Sequence, residues 1–416
     1  MHKLSCMSAG ALLVWAAAWM AIQAAEKVDA KNLRTGQAAF ADAKTLTPGT
    51  SVSVELVRGD YTIAASGTVT FRDGQRIYAF GHPFLGLGGS DMPMAESSVI
   101  TVIPNSFNSF KLAVPGRMVG SISQDRATGI FGELGHDPRM IPVKLNLHTS
   151  RNRDEQFSFE LVNDEYLTPL LLNITVFNSI NARERAVGQA TVSVRGSIAV
   201  DGQKPIDLER RFSSANASLF AAGAVAGPVA ELLSSGFNNV NIKGINLDIV
   251  ASEQTQDATL ERISLDRTEV RSGDSVEVQA YIRTDAGKEF VQRIPVQIPA
   301  ETGSGPLMIT VGDGASLQES SAAKSFVPMD LGQLVSALNK VKKNDRLYVR
   351  LARPVAGAVI GTNEMPNLPP SVVATLNSDR AAGGYQPLTL SQIYERELPP
   401  AEYVVSGQQT ITVTIK

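Results

Sequence analysis

The stretch that decides the fold covers residues 67–89 and reads GTVTFRDGQRIYAFGHPFLGLGG. Apolar and polar side chains alternate over 68–71 and 76–80, which is the period of a half-buried β-strand. Asp73-Gly74 separates the two runs, and glycine accepts the positive φ that a tight hairpin turn requires. The stretch therefore predicts two antiparallel strands that deliver His82, in a Gly-His-Pro turn, to the end of a sheet.

Strand-like patterns continue on both sides of this hairpin. Before it, residues 50–57 alternate, and after it short alternating runs are separated by turn residues, at 99–103, 118–122, 141–148 and 156–162. A meander of short strands is typical of a barrel or a sandwich. Two helices interrupt the pattern, one near 168–185 with Thr168 as N-cap and Pro169 at its first position, and an Ala-rich one near 218–234.

The C-terminal half reads as a second β-rich unit. Its strand-like runs recur at the spacing of an immunoglobulin-like β-sandwich, at 240–250, 260–265, 275–282 and 290–298, and residues 307–311 are expected to close it. An amphipathic helix is predicted over 330–343, then a strand over 346–351. The last strands are expected to form a hairpin about Ser406-Gly407.

These observations predict a mainly β chain with a few helices and the following organisation: a signal segment over 1–25, a linker over 26–47, a β-rich domain over 48–238, an immunoglobulin-like β-sandwich over 239–325, and a helix with a C-terminal strand and loop-rich tail over 326–416. The chain has 416 residues, of which 43% are hydrophobic and 19% charged, an ordinary balance for globular domains. The net charge is −3 and no block of Lys or Arg is present, so nucleic acid is not expected as a partner.

The N-terminal residues predict export. Lys3 precedes an apolar run over 9–22, and Ala24-Ala25 follows it, which is the pattern of a secretory signal. We therefore expect a periplasmic or extracellular protein, and contact with a membrane only through an uncleaved signal anchor. Cys6, within this segment, is the only cysteine, so no disulfide is predicted.

Several side chains are candidates for chemistry. His82, on a turn at a strand end, is placed to act as a general base, although such a His can also serve only to hydrogen-bond its turn. Loop serines Ser106 and Ser109 lie near Lys111, but neither is in a Gly-x-Ser-Gly elbow. Two acids are alternatives for orienting the His: Asp125, which is expected to pair with Arg126, and Asp164, which follows a strand and can equally be a turn former.

No metal or cofactor is predicted. His82, His136 and His148 are dispersed along the chain without the spacing of a metal site. The Gly-rich run over 86–89 does not open a helix, so it does not read as a phosphate loop.

Several short motifs together resemble the SpoIVB-type serine peptidase family, in particular its large exported bacterial members. The motifs are Pro48-Gly-Thr, Leu56-Val-Arg-Gly-Asp60, Gly67-Thr-Val-Thr-Phe71, Ala79-Phe-Gly-His-Pro-Phe84, Ser109-Phe-Lys111, Gln124-Asp-Arg126 and Gly129-Ile-Phe-Gly132. The resemblance is specific over about 48–135 and continues loosely to residues 344–350.

The resemblance implies a trypsin-like β-barrel peptidase in which His, Asp and Ser cooperate. His82 matches the catalytic His position and Asp164 the acidic position. The family's Gly-x-Ser-Gly-Ser-Pro segment, which carries the nucleophile, is absent from the 416 residues. Three alternatives follow: a non-catalytic relative that binds a protein or peptide in the cell envelope, a peptidase whose serine-bearing segment is supplied by a second chain, or a role for Ser106 or Ser109.

Overall fold

The computed structural model describes residues 38–106, 109–150, 154–182, 188–238, 240–267, 269–319, 327–360, 363–376 and 385–416. The predicted signal segment and most of the linker lie outside these residues. The described chain is mainly β, as the sequence predicts. Its strands are β1 (Ser51–Gly59), β2 (Ile63–Asp73), β3 (Arg76–Ala79), β4 (Gly88–Ile103), β5 (Phe110–Arg126), β6 (Gly129–Leu134), β7 (Met140–Thr149), β8 (Asp154–Val162), β9 (Ala190–Val200), β10 (Ile206–Ser214), β11 (Ile242–Ser252), β12 (Asp257–Leu265), β13 (Glu269–Val270), β14 (Ser275–Thr284), β15 (Glu289–Gln297), β16 (Gly305–Asp313), β17 (Leu347–Ile360), β18 (Asn363–Met365), β19 (Tyr385–Glu397), β20 (Val404–Ser406) and β21 (Gln408–Ile415). Its helices are α1 (Leu167–Asn181), α2 (Ala217–Leu233), α3 (Gly314–Glu319), α4 (Leu331–Asn339) and α5 (Pro370–Leu376).

The first eleven strands form one continuous sheet in the order β10-β9-β11-β7-β8-β1-β2-β3-β6-β5-β4. Strand β4, the last in this order, also pairs with β1, with Glu96 opposite Val52. Strands β1 to β6 therefore form a closed ring of pairings. Residues Val57–Gly59 of β1 pair with β8. This pairing joins the ring to the other five strands of the sheet, β10-β9-β11-β7-β8.

Alternating side chains explain why these strands bury one face. On β7, Val143, Leu145 and Leu147 are fully buried while the residues between them are more exposed. Helices α1 and α2 contribute buried side chains, among them Leu172 and Val225, to the same core. Helix α1 begins at Leu167, so Thr168 lies inside the helix and is not the N-cap that the sequence predicts. The Thr168 hydroxyl donates a hydrogen bond to the Val162 carbonyl oxygen at 2.6 Å.

Strand β11 belongs to the first core, although the sequence places its residues in the sandwich. It lies between β9 and β7, antiparallel to the former and parallel to the latter. Its side chains Ile245, Leu247 and Ile249 pack with the first core. The alternating pattern shows that this segment is a strand, but it carries no information about which sheet the strand joins.

Two further sheets face each other across a second core. One has the order β15-β14-β12-β20, and the other β13-β21-β16-β17-β18 with β19 also on β17. The core between them contains Val278 and Ile282 from the first sheet and Ile309 and Val413 from the second. Strands β18 and β19 of this sandwich come from the predicted loop-rich tail, whereas β17 begins, and β20 and β21 lie, where strands are predicted.

The predicted C-terminal hairpin is wrong. Strand β20 pairs in parallel with β12 in one sheet, whereas β21 pairs with β16 in the opposite sheet. Gly407 lies between them with a φ of 104°, a conformation that glycine adopts without strain, so the chain changes sheets there. Sequence alternation on both sides of a Ser-Gly pair is compatible with either arrangement.

The two cores are joined by polar contacts. The side chain of Asn344 accepts a hydrogen bond from the Arg211 amide at 2.9 Å and donates to its carbonyl oxygen at 2.7 Å. The buried guanidinium of Arg346 contacts Glu209 of β10 at 2.8 Å and its neighbour Asp345 at 2.7 Å. We call these contacts the joint.

Candidate functional site

The loop that carries His82 is entered through a strained residue. Phe80 has a φ of 74°, which is costly for a residue with a large side chain. Its amide donates to the Thr68 carbonyl oxygen at 3.0 Å, and its ring lies over Gly67. A Cβ added at Gly67 would be 2.2 Å from Cδ1 of Phe80, so only glycine leaves room for the ring.

His82 is exposed at the surface of this loop. Its Nδ1 donates to the carbonyl oxygen of Pro83 at 2.8 Å, and its ring centroid lies 5.6 Å from that of Phe80. A carbonyl oxygen can only accept, so the neutral ring carries its proton on Nδ1 and its lone pair on Nε2. No other hydrogen bond of His82 occurs within the described residues.

The loop after His82 is held by a buried carboxylate. Asp125, at the end of β5, is 1% exposed and accepts hydrogen bonds from four successive backbone amides, at 2.6 to 3.3 Å; the donors are Phe84, Leu85, Gly86 and Leu87. The predicted ion pair with Arg126 is wrong, because the Arg126 Nε instead donates to Gln124 Oε1 at 3.4 Å. Asp125 therefore fixes the backbone of the Gly-Pro-rich loop.

Asp164 lies at the start of helix α1. Its Oδ1 accepts from the amides of Tyr166 at 2.9 Å and Leu167 at 2.8 Å, so the carboxylate closes the turn that leads into the helix. It also borders a polar depression with Asp91 and Arg139. No hydrogen bond joins Asp164 to His82 in the described structure.

The loop serines are not activated by a base in the described part of the chain. Ser109 exchanges hydrogen bonds only with the backbone of Asn105, at 3.2 and 3.3 Å. The Lys111 ammonium donates to the Thr68 hydroxyl at 2.5 Å rather than to Ser106 or Ser109. Residues 107 and 108 lie outside the described structure.

The two other histidines that the structure describes are paired with acids on the surface. His136 lies 3.6 Å from Asp91. His148 lies between two carboxylates, 2.8 Å from Asp154 and 3.4 Å from Asp248. The hydrogen bond that the His148 ring donates to Asp154 raises the pKa of His148 above its usual value. No group of three or more potential ligands suited to a metal ion occurs in the described ranges.

One buried acid was not singled out by the sequence. Glu55 is 5% exposed on β1, where the pairing with β2 shifts register. Its Oε2 has no hydrogen-bond partner and lies 3.9 Å from Nε of Arg58, whose register partner on β8 is Glu160. Burial raises the pKa of Glu55 to about 7 and raises that of Glu160 as well. In the sequence, only the position of Glu55 among apolar residues indicates that it could be buried.

Comparison of the chain with protein-family models, with curated proteins and with solved structures finds no match. Within the residues that the structure describes, no helix is both long and apolar enough to cross a membrane.

Proposed function

We propose that this protein is an exported, non-catalytic relative of the SpoIVB-type serine peptidases that binds a protein or peptide in the bacterial cell envelope. In this proposal the closed ring of β1 to β6 corresponds to a trypsin-like barrel, and the second unit to an immunoglobulin-like sandwich. The motifs that carry the resemblance support it, since Gly67, Phe80, His82 and Asp125 all belong to one loop and its supports.

The hydrogen bonds of the two expected catalytic residues carry the proposal. Peptide hydrolysis by this chemistry needs a serine within reach of the His and an acid that orients it. The Nδ1 of His82, the atom that such an acid would contact, donates to Pro83 instead. The Oδ1 of Asp164 accepts from the amides of Tyr166 and Leu167, in the turn before helix α1. The described residues therefore lack the arrangement that would make a serine nucleophilic.

The loop is suited to recognition. Its backbone amides are fixed on Asp125, while Leu85 and His82 remain exposed. Binding residues are commonly found on loops that a rigid scaffold positions. A fixed loop also spares a ligand the entropic cost of ordering it.

A fluorophosphonate probe tests this proposal, because it labels only serines that a neighbouring base activates. The full chain, its His82→Ala variant and an active serine peptidase as positive control are incubated with the probe and compared. We expect labelling of the control alone. A serine of this chain that is labelled in the parent and not in His82→Ala would overturn the proposal.

One observation favours a second candidate, a peptidase assembled from two chains. Because Nδ1 of His82 is hydrogen-bonded to a carbonyl oxygen and Nε2 makes no hydrogen bond among the described residues, Nε2 is the atom available to accept a proton from a nucleophile. A second polypeptide with a Gly-x-Ser-Gly-Ser-Pro segment would then supply the nucleophile. Probe labelling of that second chain, only in the presence of this one and only with His82 intact, is the result that this candidate requires.

A further inference from the structure

The outer halves of β4 and β5 project from the ring as a two-stranded ribbon. We call residues 97–106 and 109–116 the arm. The pairing of β4 with β1 ends at Glu96, and β5 pairs with β6 only from Gly120 onward. Between these points the described residues of the arm pair only with each other, from Ser97 with Pro115 to Ile103 with Phe110.

The arm exposes a large apolar surface. Seven of its described side chains are 39% to 64% exposed; they are Val99, Ile100, Val102, Ile103, Phe110, Leu112 and Val114. Residues of these types present roughly 150–250 Å² each, so the seven expose on the order of 600 Å². Isolated apolar patches of this size are at the upper end of what a monomer exposes.

The two edges of the arm and one of its faces have no partner among the described residues, whereas on the other face the Lys111 ammonium donates to the Thr68 hydroxyl of β2 at 2.5 Å. Phe110, Leu112 and Val114 alternate along β5 and share one face, whereas Val102 lies opposite Lys111 on the other. The two edges present backbone N–H and C=O groups that no strand satisfies among the described residues. Such an edge is a template for pairing with another strand.

The composition of the arm favours a second copy of this chain as its partner. From residue 97 to residue 116 its only charged side chain is Lys111, so two arms can approach each other without strong repulsion. Because the seven apolar side chains are divided between the two faces, an arm reaches the roughly 1,200 Å² at which stable interfaces begin only if it buries a face and a strand edge together, which a second arm allows. A lipid bilayer fits less well, because the tip carries polar Asn105, Ser106 and Ser109, and open strand edges are not tolerated in hydrocarbon.

We infer that two copies of this chain associate through their arms, with apolar faces packed together and strand edges available for pairing. A two-fold arrangement places the same residues of both copies in contact. The inference does not depend on the proposed function, since it uses neither His82 nor its loop.

Sedimentation equilibrium of the full chain over about 1–100 μM tests the inference. The test variant, Phe110→Asp with Leu112→Asp, adds charge to one apolar face. The matched control is Leu219→Asp with Val291→Asp, two side chains that are 49% and 47% exposed outside the arm. We expect the parent and the control to dimerise alike, and the dissociation constant of the test variant to rise at least about 100-fold.

The controls separate the alternatives. All variants retain residues 9–22, so association through that apolar run would be the same in all of them. Circular dichroism confirms that the test variant is folded. A parent that is monomeric throughout the range, or a test variant that dimerises like the parent, overturns the inference. A monomeric parent that binds liposomes through the arm also overturns the inference, because the arm would then contact lipid and not a second copy.

Discussion

Gly86 donates its backbone N–H to Oδ2 of Asp125 at 2.6 Å, and this contact connects two motifs 39 residues apart in the sequence. The carboxylate ends β5, whereas the glycine follows the Gly-His-Pro turn after β3. Three further amides of the loop converge on the same carboxylate. Asp125 therefore holds the segment that directly follows the Gly-His-Pro turn, from Phe84 to Leu87.

Replacing Asp125 with Ala should destabilise the protein strongly. Four backbone amides would lose a buried acceptor, and charge-assisted hydrogen bonds contribute more than neutral ones. We expect the free energy of unfolding to fall by at least about 3 kcal/mol, with faster amide exchange at Phe84 to Leu87. Urea unfolding and hydrogen exchange measure the two effects. Arg126→Ala, next in the sequence and exposed, is the control and should change the stability by less than about 0.5 kcal/mol.

Gly67→Ala should force the ring of Phe80 off its site. The added Cβ would overlap Cδ1 at 2.2 Å, and overpacking of this kind typically costs about 1–3 kcal/mol. Phe80→Leu removes the obstructing ring, so the two substitutions should be less than additive. A double-mutant cycle from chemical denaturation measures the coupling. Additive effects would show that Phe80 and Gly67 do not constrain each other.

Local pattern predicts much of this fold. The Asp73-Gly74 hairpin, the alternation of β7 and the helix over 217–233 all follow from residues that are adjacent in the sequence. The assignment of β11 and the change of sheet at Gly407 do not, because they depend on which distant strand supplies the pairing groups. Strand alternation is the same in every sheet.

In the candidate site too, features set by neighbouring residues can be predicted from the sequence, whereas contacts with distant residues cannot. The position of His82 at a strand end follows from the hairpin that precedes it. The role of Asp125 could not be read from its neighbour Arg126, because its partners are amides from another loop. Asp164 was recognised as a strand-end acid with two alternative roles, and its contacts with Tyr166 and Leu167 are those of the turn former.

Glu55 should make the stability fall as the pH rises from about 4.5 to above 7. The raised pKa means that the folded state keeps the proton over a range in which the unfolded state has released it. Below that range both states are protonated and the penalty vanishes. A shift from 4.5 to about 7 corresponds to about 3 kcal/mol, present in full at alkaline pH. Glu160 acts in the same direction, since burial also raises its pKa.

The variant Glu55→Gln isolates this contribution. Glutamine does not titrate, so the difference in the free energy of unfolding between pH 5 and pH 8 should shrink by about 3 kcal/mol. Chemical denaturation at both pH values provides the measurement, with Glu133→Gln, an exposed side chain of β6, as a control that keeps the parent's pH dependence. An unchanged pH dependence in Glu55→Gln would exclude a raised pKa at this position.

Arg346→Ala should weaken the joint more than either core. The substitution leaves Asp345 buried without its guanidinium partner, and breaking a buried ion pair in this way costs about 3–5 kcal/mol. Because Arg346 also contacts Glu209 of β10, the first core loses a contact with the sandwich. Differential scanning calorimetry should show the parent unfolding in fewer steps than the variant, in which the sandwich and the first core separate into two transitions. Arg353→Ala, whose side chain contacts only Ser304 among the described residues, should leave the parent's calorimetric profile in place.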